Sequence, residues 1–182
     1  TLVTQYAAIP PGAVVADLCA APGGKSLELS RTAKMVLASD KSSQRLVRLL
    51  ENRTRLEANN LVVAAGDARY PAVSGMDAIL IDVPCTGTGT FRRHPDARWR
   101  IRVSDLSVMA ALQATILRAA ANAVKPGGLL IYSTCSLELE ENDAQVEEFL
   151  ARNPDWALEP PPQNSVPAET IDRGFLRVLP PV

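Results

Sequence analysis

The chain alternates short apolar runs with helical patterns, and this alternation narrows its possible folds more than any other feature. Ala13–Leu18, Met35–Ser39, Leu61–Ala65, Met76–Ile81 and Leu129–Thr134 read as buried strands. Between them, helices are expected from about Ser26 to Ala33, over Ser42–Ala58, and over the Ala-rich Leu106–Val124. The last of these is stopped by Lys125-Pro126-Gly127-Gly128. Glu140–Arg152 reads as a further helix, with an acidic first turn that suits the helix dipole. Trp156–Leu158 and Phe175–Leu179 are shorter strand candidates. Strands alternating with helices imply right-handed βαβ crossovers and a mostly parallel sheet covered on both faces, an α/β sandwich. Ligands of such sheets bind beyond the carboxyl ends of the strands. The chemically unusual residues fall at those ends: 19–25, Asp40, Asp67, 82–89 and Cys135.

Composition sets the outer bounds. A length of 182 residues suits one domain with one sizeable core. No apolar stretch approaches the roughly 18 residues of a membrane span, and the first residues lack the basic flank of a signal peptide. The three cysteines, Cys19, Cys85 and Cys135, lie far apart and lack zinc-site spacing. A reduced cytoplasmic setting with no structural metal and no membrane partner is therefore expected. The net charge of −1 argues against gripping nucleic acid by bulk charge, though not against a local basic patch. One such cluster exists: Phe91-Arg92-Arg93-His94-Pro95-Asp96-Ala97-Arg98-Trp99-Arg100. Its arginines, Arg92, Arg93, Arg98 and Arg100, are candidates for holding phosphates, with aromatics to stack a base. The plain alternative is a solvated charged loop.

Asp17-Leu18-Cys19-Ala20-Ala21-Pro22-Gly23-Gly24-Lys25 forms a strand-to-helix turn whose glycines let backbone approach a ligand. It matches neither the dinucleotide fingerprint nor the P-loop. Taken with Asp82-Val83-Pro84-Cys85-Thr86-Gly87-Thr88-Gly89, Arg93-His94-Pro95-Asp96 and Ser133-Thr134-Cys135-Ser136-Leu137-Glu138-Leu139-Glu140-Glu141-Asn142, it resembles the Sun/Nop family of RNA 5-methylcytosine methyltransferases. The RsmB-like bacterial ribosomal RNA branch is the most similar. The resemblance covers roughly residues 10 to 180 and implies a class I, Rossmann-like methyltransferase fold.

It further implies S-adenosylmethionine as cofactor, wrapped by Cys19, Ala20, Ala21, Pro22, Gly23, Gly24 and Lys25. Asp40 would hold the ribose hydroxyls, Asp67 the adenine end, and Asp82 either the methionine end or the target base. For each aspartate the plain alternative is a cap or turn residue. The implied substrate is a cytosine in RNA, ribosomal RNA or transfer RNA, methylated at C5. Cytosine C5 is too poor a nucleophile to take a methyl group unaided, and addition of a thiolate at C6 turns the ring into an enamine that can. By the family pattern Cys135 attacks C6 and Cys85 assists product release. Cys19 reads as a buried small hydrophobe, and Lys25 stands either near the base or in solvent.

All 182 residues are expected to form one catalytic domain. Related proteins carry an RNA-binding domain ahead of this region and continue into a further strand, and both are expected to be missing here. Two other classes remain open. One is a cofactor- or RNA-binding assembly factor without turnover, against which the intact thiol pair speaks. The other is a methyltransferase acting on DNA or protein, since Pro84-Cys85 also fits the nucleophile position of DNA cytosine enzymes.

Overall fold

The computed structural model describes residues 1–179. A short helix, α1 (Leu2–Ala7), precedes the first strand and was not evident from the sequence. It is six residues long and buries none of them fully, so it carries no strong periodic signal. The main sheet contains β1 (Val14–Asp17), β2 (Met35–Asp40), β3 (Leu61–Ala65), β4 (Met76–Asp82) and β5 (Val124–Ser133). Its order is β3-β2-β1-β4-β5 and every pairing is parallel. The expected α/β sandwich is thus present. The order reverses at β1, so the crevice between the ends of β1 and β4 is the switch point where such sheets take ligands.

The strands alternate their side chains between two cores. Val15, Val36, Ala38, Ala78 and Leu80 face α2 (Gly24–Leu29) and α3 (Ser43–Arg55), where they meet Leu29, Leu46 and Leu49. Ala16, Ile79 and Ile81 face the other side and meet Ile116, Leu117 and Ala120 of α4 (Val103–Ala121) and Phe149 of α5 (Asp143–Arg152). Ile79, Leu80 and Ile81 are at most 2% exposed, which is why β4 reads as an unbroken apolar run. Each such side chain contributes about 1.5–3 kcal/mol.

Several sequence expectations need correction. The long helix ends at Ala121, not Val124, and Lys125-Pro126-Gly127-Gly128 lies within β5. β5 is an edge strand of this sheet, and its register against β4 shifts between Met76 and Ala78, which absorbs the proline and glycines. The Glu140–Arg152 helix is a 3-10 turn, Leu139–Glu141, followed by α5. Trp156–Leu158 forms no strand; Trp156 packs edge-on to Phe149 with ring centroids 5.6 Å apart. Phe175–Leu176 (β7) pairs antiparallel with Ile171–Asp172 (β6) as a separate ribbon. Residues 180–182 of the expected domain lie outside the described residues.

Candidate active site

The five strands deliver a row of carboxylates and thiols to one edge of the sheet. β1 ends on Asp17, which is 1% exposed. Its Oδ2 accepts from Ser26 Oγ at 2.6 Å, while Oδ1 is buried with no hydrogen-bond partner. Burial pushes the Asp17 carboxyl up to about 6, against the opposing effect of the Ser26 hydroxyl. The chain then turns through Cys19–Gly23 into α2. Gly23 adopts φ 107°, which L side chains rarely take, and a Cβ there would also press on Leu49 Cδ1, so the turn needs glycine. A Cβ on Gly24 would meet nothing within 4 Å, which leaves that backbone open to a ligand.

Asp40, at the end of β2, stitches this turn to its neighbour. Its Oδ2 accepts from Ala21 N at 3.1 Å and its Oδ1 from Ser42 N at 2.9 Å, with Arg45 Nη1 at 3.5 Å. Arg45 also donates to the Ala21 carbonyl. Asp67, after β3, closes a turn instead. Both its oxygens are held by Arg69, whose guanidinium keeps the carboxyl well below the usual carboxylate range. That geometry is the turn alternative raised from the sequence. Cys19 is mostly buried, and burial followed by Asp17, Asp40 and Asp82 pushes its thiol up to about 12. It is unsuited to act as a nucleophile at neutral pH.

β4 and β5 end side by side, with Asp82 opposite Ser133. Asp82 Oδ2 accepts from Lys25 Nζ at 2.6 Å and Oδ1 from Ser133 Oγ at 2.7 Å. Lys25 therefore points from the glycine turn to the strand ends rather than into solvent. Just beyond, Cys85 Sγ and Cys135 Sγ are 3.3 Å apart. Cys135 is exposed and Cys85 partly buried. The Cys85 thiol donating to Cys135 lowers the latter to about 7, outweighing the burial that would raise it. The same contact and burial push Cys85 well above the ordinary thiol range. The pair is thus asymmetric: the contact favours the thiolate on Cys135, the more exposed of the two, and the proton on Cys85.

Gly89 packs against this pair, since a Cβ there would lie 2.8 Å from the Cys135 carbonyl oxygen. The basic segment follows as two 3-10 turns, Thr88–Thr90 and Pro95–Trp99. Arg92, Arg93, Arg98 and Arg100 are exposed, Arg100 pairs with Asp96, and Trp99 is 84% exposed. A cavity of about 1920 Å³ lies away from the β1/β4 crevice. It runs along the outer edge of β5 and reaches Cys135, Arg92 and Arg93. Ser133 carried no sequence signal because its partner Asp82 is 51 residues away, and Asp17 and Ser26 carried none because the glycine turn between them, not their spacing, brings them together. Among the described residues no cluster suits a metal ion, and no helix is long and apolar enough to cross a membrane.

A family model described as 16S rRNA methyltransferase RsmB/F matches residues 7–182. The chain is 44% identical over 176 residues to the ribosomal RNA small subunit methyltransferase B of Salmonella arizonae, covering 90% of this chain and 41% of that protein. It is 43% identical over 185 residues to the protein of the same name from Vibrio cholerae, covering 96% and 42%. The chain therefore spans about two fifths of the length of these relatives. Among solved structures, NSun6 from Pyrococcus horikoshii with SFG superposes with a TM-score of 0.78 at 32% identity, covering 88% of this chain and 42% of that one.

Proposed function

The chain belongs to the RsmB/F family of 16S rRNA methyltransferases, and on that premise we propose that it transfers a methyl group from S-adenosylmethionine to C5 of a cytosine in RNA, through a covalent bond between Cys135 and C6. The observation that carries this reading is the 3.3 Å approach of two unequal thiols at the ends of adjacent strands. A retired site, or one that only binds, has no need of such a pair. The relatives' name makes ribosomal RNA the favoured substrate over transfer RNA, with residues 1–182 as the catalytic unit.

The crevice suits the cofactor. SFG, an S-adenosylmethionine analogue, accompanies the NSun6 relative. Here the open Gly24 backbone and the Asp40 and Asp82 carboxylates offer what a ribose, an amine and a cationic sulfonium require. S-adenosylmethionine supplies the electrophilic methyl group. The turn from Cys19 to Lys25 and Asp40 bind and orient it, and Asp67 with Arg69 borders its far end. Cys135 attacks C6 as thiolate, and the developing charge on the base is met by Lys25 beside Asp82. After C5 has been methylated, a base takes its proton, the electron pair of that C–H bond re-forms the C5–C6 double bond, and Cys135 leaves C6 as thiolate, with Cys85 assisting this release. Arg92, Arg93, Arg98 and Arg100 hold the RNA backbone near the Cys135 mouth.

Labelled S-adenosylmethionine incubated with the protein and ribosomal RNA, followed by mapping of the modified base, tests the reading. Label at cytosine C5 is expected; label elsewhere, or none with any RNA, removes it. Two narrower outcomes are expected. Asp40→Ala should weaken S-adenosylmethionine binding about tenfold or more, the scale of one charged hydrogen-bond partner. Calorimetry on both forms checks this, and equal affinities would exclude Asp40 from the site. RNA binding by this chain should be weak, because its net charge is −1 and its one dense basic cluster, within residues 92–102, is a small footprint for phosphate contacts. Filter binding at moderate salt checks that, and tight binding would reveal a larger RNA platform.

A further inference from the structure

Beneath the two thiols lies a buried polar cluster that the chemistry above does not use. Glu141 and Gln113 are both 0% exposed, although each carries polar atoms. Glu141 comes from the 3-10 turn after the Cys135 loop, and Gln113 from the middle of α4. Gln113 Nε2 donates to the Pro84 carbonyl and to Glu141 Oε1, each at 2.9 Å. Glu141 Oε1 also accepts from Thr86 N at 2.9 Å, and Oε2 accepts from Thr86 Oγ1. The two side chains therefore grip the residue before Cys85 and the residue after it. Tyr132 Oη donates to the Glu141 carbonyl at 2.7 Å and fixes the clamp to β5.

Burial alone would raise the Glu141 carboxyl, but the hydrogen bonds it accepts hold it below its usual value. Among the described residues, the groups that reach the Glu141 carboxylate are uncharged, so hydrogen bonds rather than an ion pair offset its burial. Well-packed apolar residues in the same volume are commonly as stable or more so. What the carboxylate provides is geometry. The β4 and β5 loops are laced above it by Gly89 N donating to the Cys135 carbonyl at 3.0 Å and Leu137 N to Thr88 Oγ1 at 2.9 Å. None of those contacts fixes the peptide of Cys85 itself. Pro84 and Thr86 do, and both are held from below.

Resting on the proposed function, we infer that Glu141, with Gln113, is a positioning residue for Cys85: it holds the residue-84-to-86 backbone so that the Cys85 thiol stays in contact with Cys135 and can serve product release. Glutamine at position 141 can reproduce the network, since its oxygen accepts from Thr86 N and its amide can donate to Thr86 Oγ1. Methionine fills the space but accepts nothing.

Two readouts test this. The first is cross-linking of the folded chain by diamide, which takes one hydrogen from each thiol, leaves a Cys85–Cys135 disulfide and is itself reduced to the hydrazine. The rate is read as loss of two hydrogens in the intact mass. Glu141→Gln should cross-link within about twofold of wild type and Glu141→Met at least about fivefold more slowly, the population change expected from losing a charged acceptor. The second readout is the protein–RNA adduct on a denaturing gel. Glu141→Met should accumulate it as Cys85→Ala does, and Glu141→Gln should not. A folded Glu141→Met that cross-links like wild type overturns the inference. If Glu141→Met does not fold, Gln113→Met carries both readouts through the Pro84 contact, with the same slowing expected and wild-type behaviour overturning the clamp. The cross-linking arm needs no methyl transfer. An adduct missing even from Cys85→Ala would therefore fault the proposed function and leave the clamp to be judged on cross-linking.

Discussion

Cys135→Ala should abolish methyl transfer and leave no covalent RNA adduct, whereas Cys85→Ala should form the adduct and fail to resolve it. The asymmetry follows from the order of steps: losing the attacker stops entry, and losing the helper stops exit. The loss in Cys135→Ala should be on the order of 10⁴-fold or more, the scale on which removal of a covalent nucleophile registers. In Cys85→Ala, a protein–RNA species surviving denaturing electrophoresis should build up when cofactor and substrate are both present. The double variant should show no adduct, because the nucleophile acts first. The thiol asymmetry adds a pH signature. Cys135 lies near 7 because Cys85 donates to it, so adduct formation should climb through neutral pH and level off about one unit above. Removing Cys85 removes that donor and should move the rise to higher pH. An adduct from Cys135→Ala and none from Cys85→Ala would reverse the roles and align the site with DNA cytosine enzymes, where the thiol after β4 attacks.

The parts of the fold that were legible in the sequence are those governed by local pattern. β1, β2 and β4 are largely buried and so appear as apolar runs, the edge strand β3 is apolar in composition although only Leu61 is fully buried, and α3 shows the arginine-spaced periodicity of a half-exposed helix. The failures have a common cause in tertiary context. Lys125-Pro126-Gly127-Gly128 looks like a helix stop, but the helix has already ended at Ala121 and β5 starts at Val124. An edge strand beside it can also tolerate a proline and a register shift, so β5 begins before those residues end. α1 is too short for a periodic signal, and Trp156 found an aromatic partner instead of a strand.

The candidate site divides in the same way. Which residues matter was legible chiefly through resemblance, because nothing in the spacing of residues 85 and 135 states that their sulfurs meet. The topology makes the meeting intelligible: β4 and β5 are neighbours, and Asp82 and Ser133 share a register position two or three residues earlier. Invisible in the sequence were the polar pairings that no local pattern encodes. Lys25 reaching Asp82 across 57 residues, and Ser26 reaching Asp17 under the glycine turn, are products of packing.

Asp17 carries the second large expected effect, on stability. Its carboxyl is fully buried, accepts one hydroxyl through Oδ2, and has an orphaned Oδ1. Burial raises it from 3.8 to about 6. A carboxyl whose folded value lies above its unfolded one binds a proton more tightly when folded. Its favourable contribution is complete below the unfolded value and is lost as pH rises through the folded one. The window is therefore about pH 4 to 6, and above it the ionised group costs about 3 kcal/mol relative to its neutral form. Asparagine keeps the shape without the charge, and its amide can donate to Ser26 Oγ. Asp17→Asn should accordingly be more stable than wild type by about 2–3 kcal/mol at pH 7.5, and the gap should close towards pH 4. Urea unfolding of both proteins across that range measures it. A difference that stays constant with pH would mean that Asp17 does not titrate in this window. One that grows towards acid would mean that the carboxylate is stabilised where it lies, contrary to its orphaned oxygen.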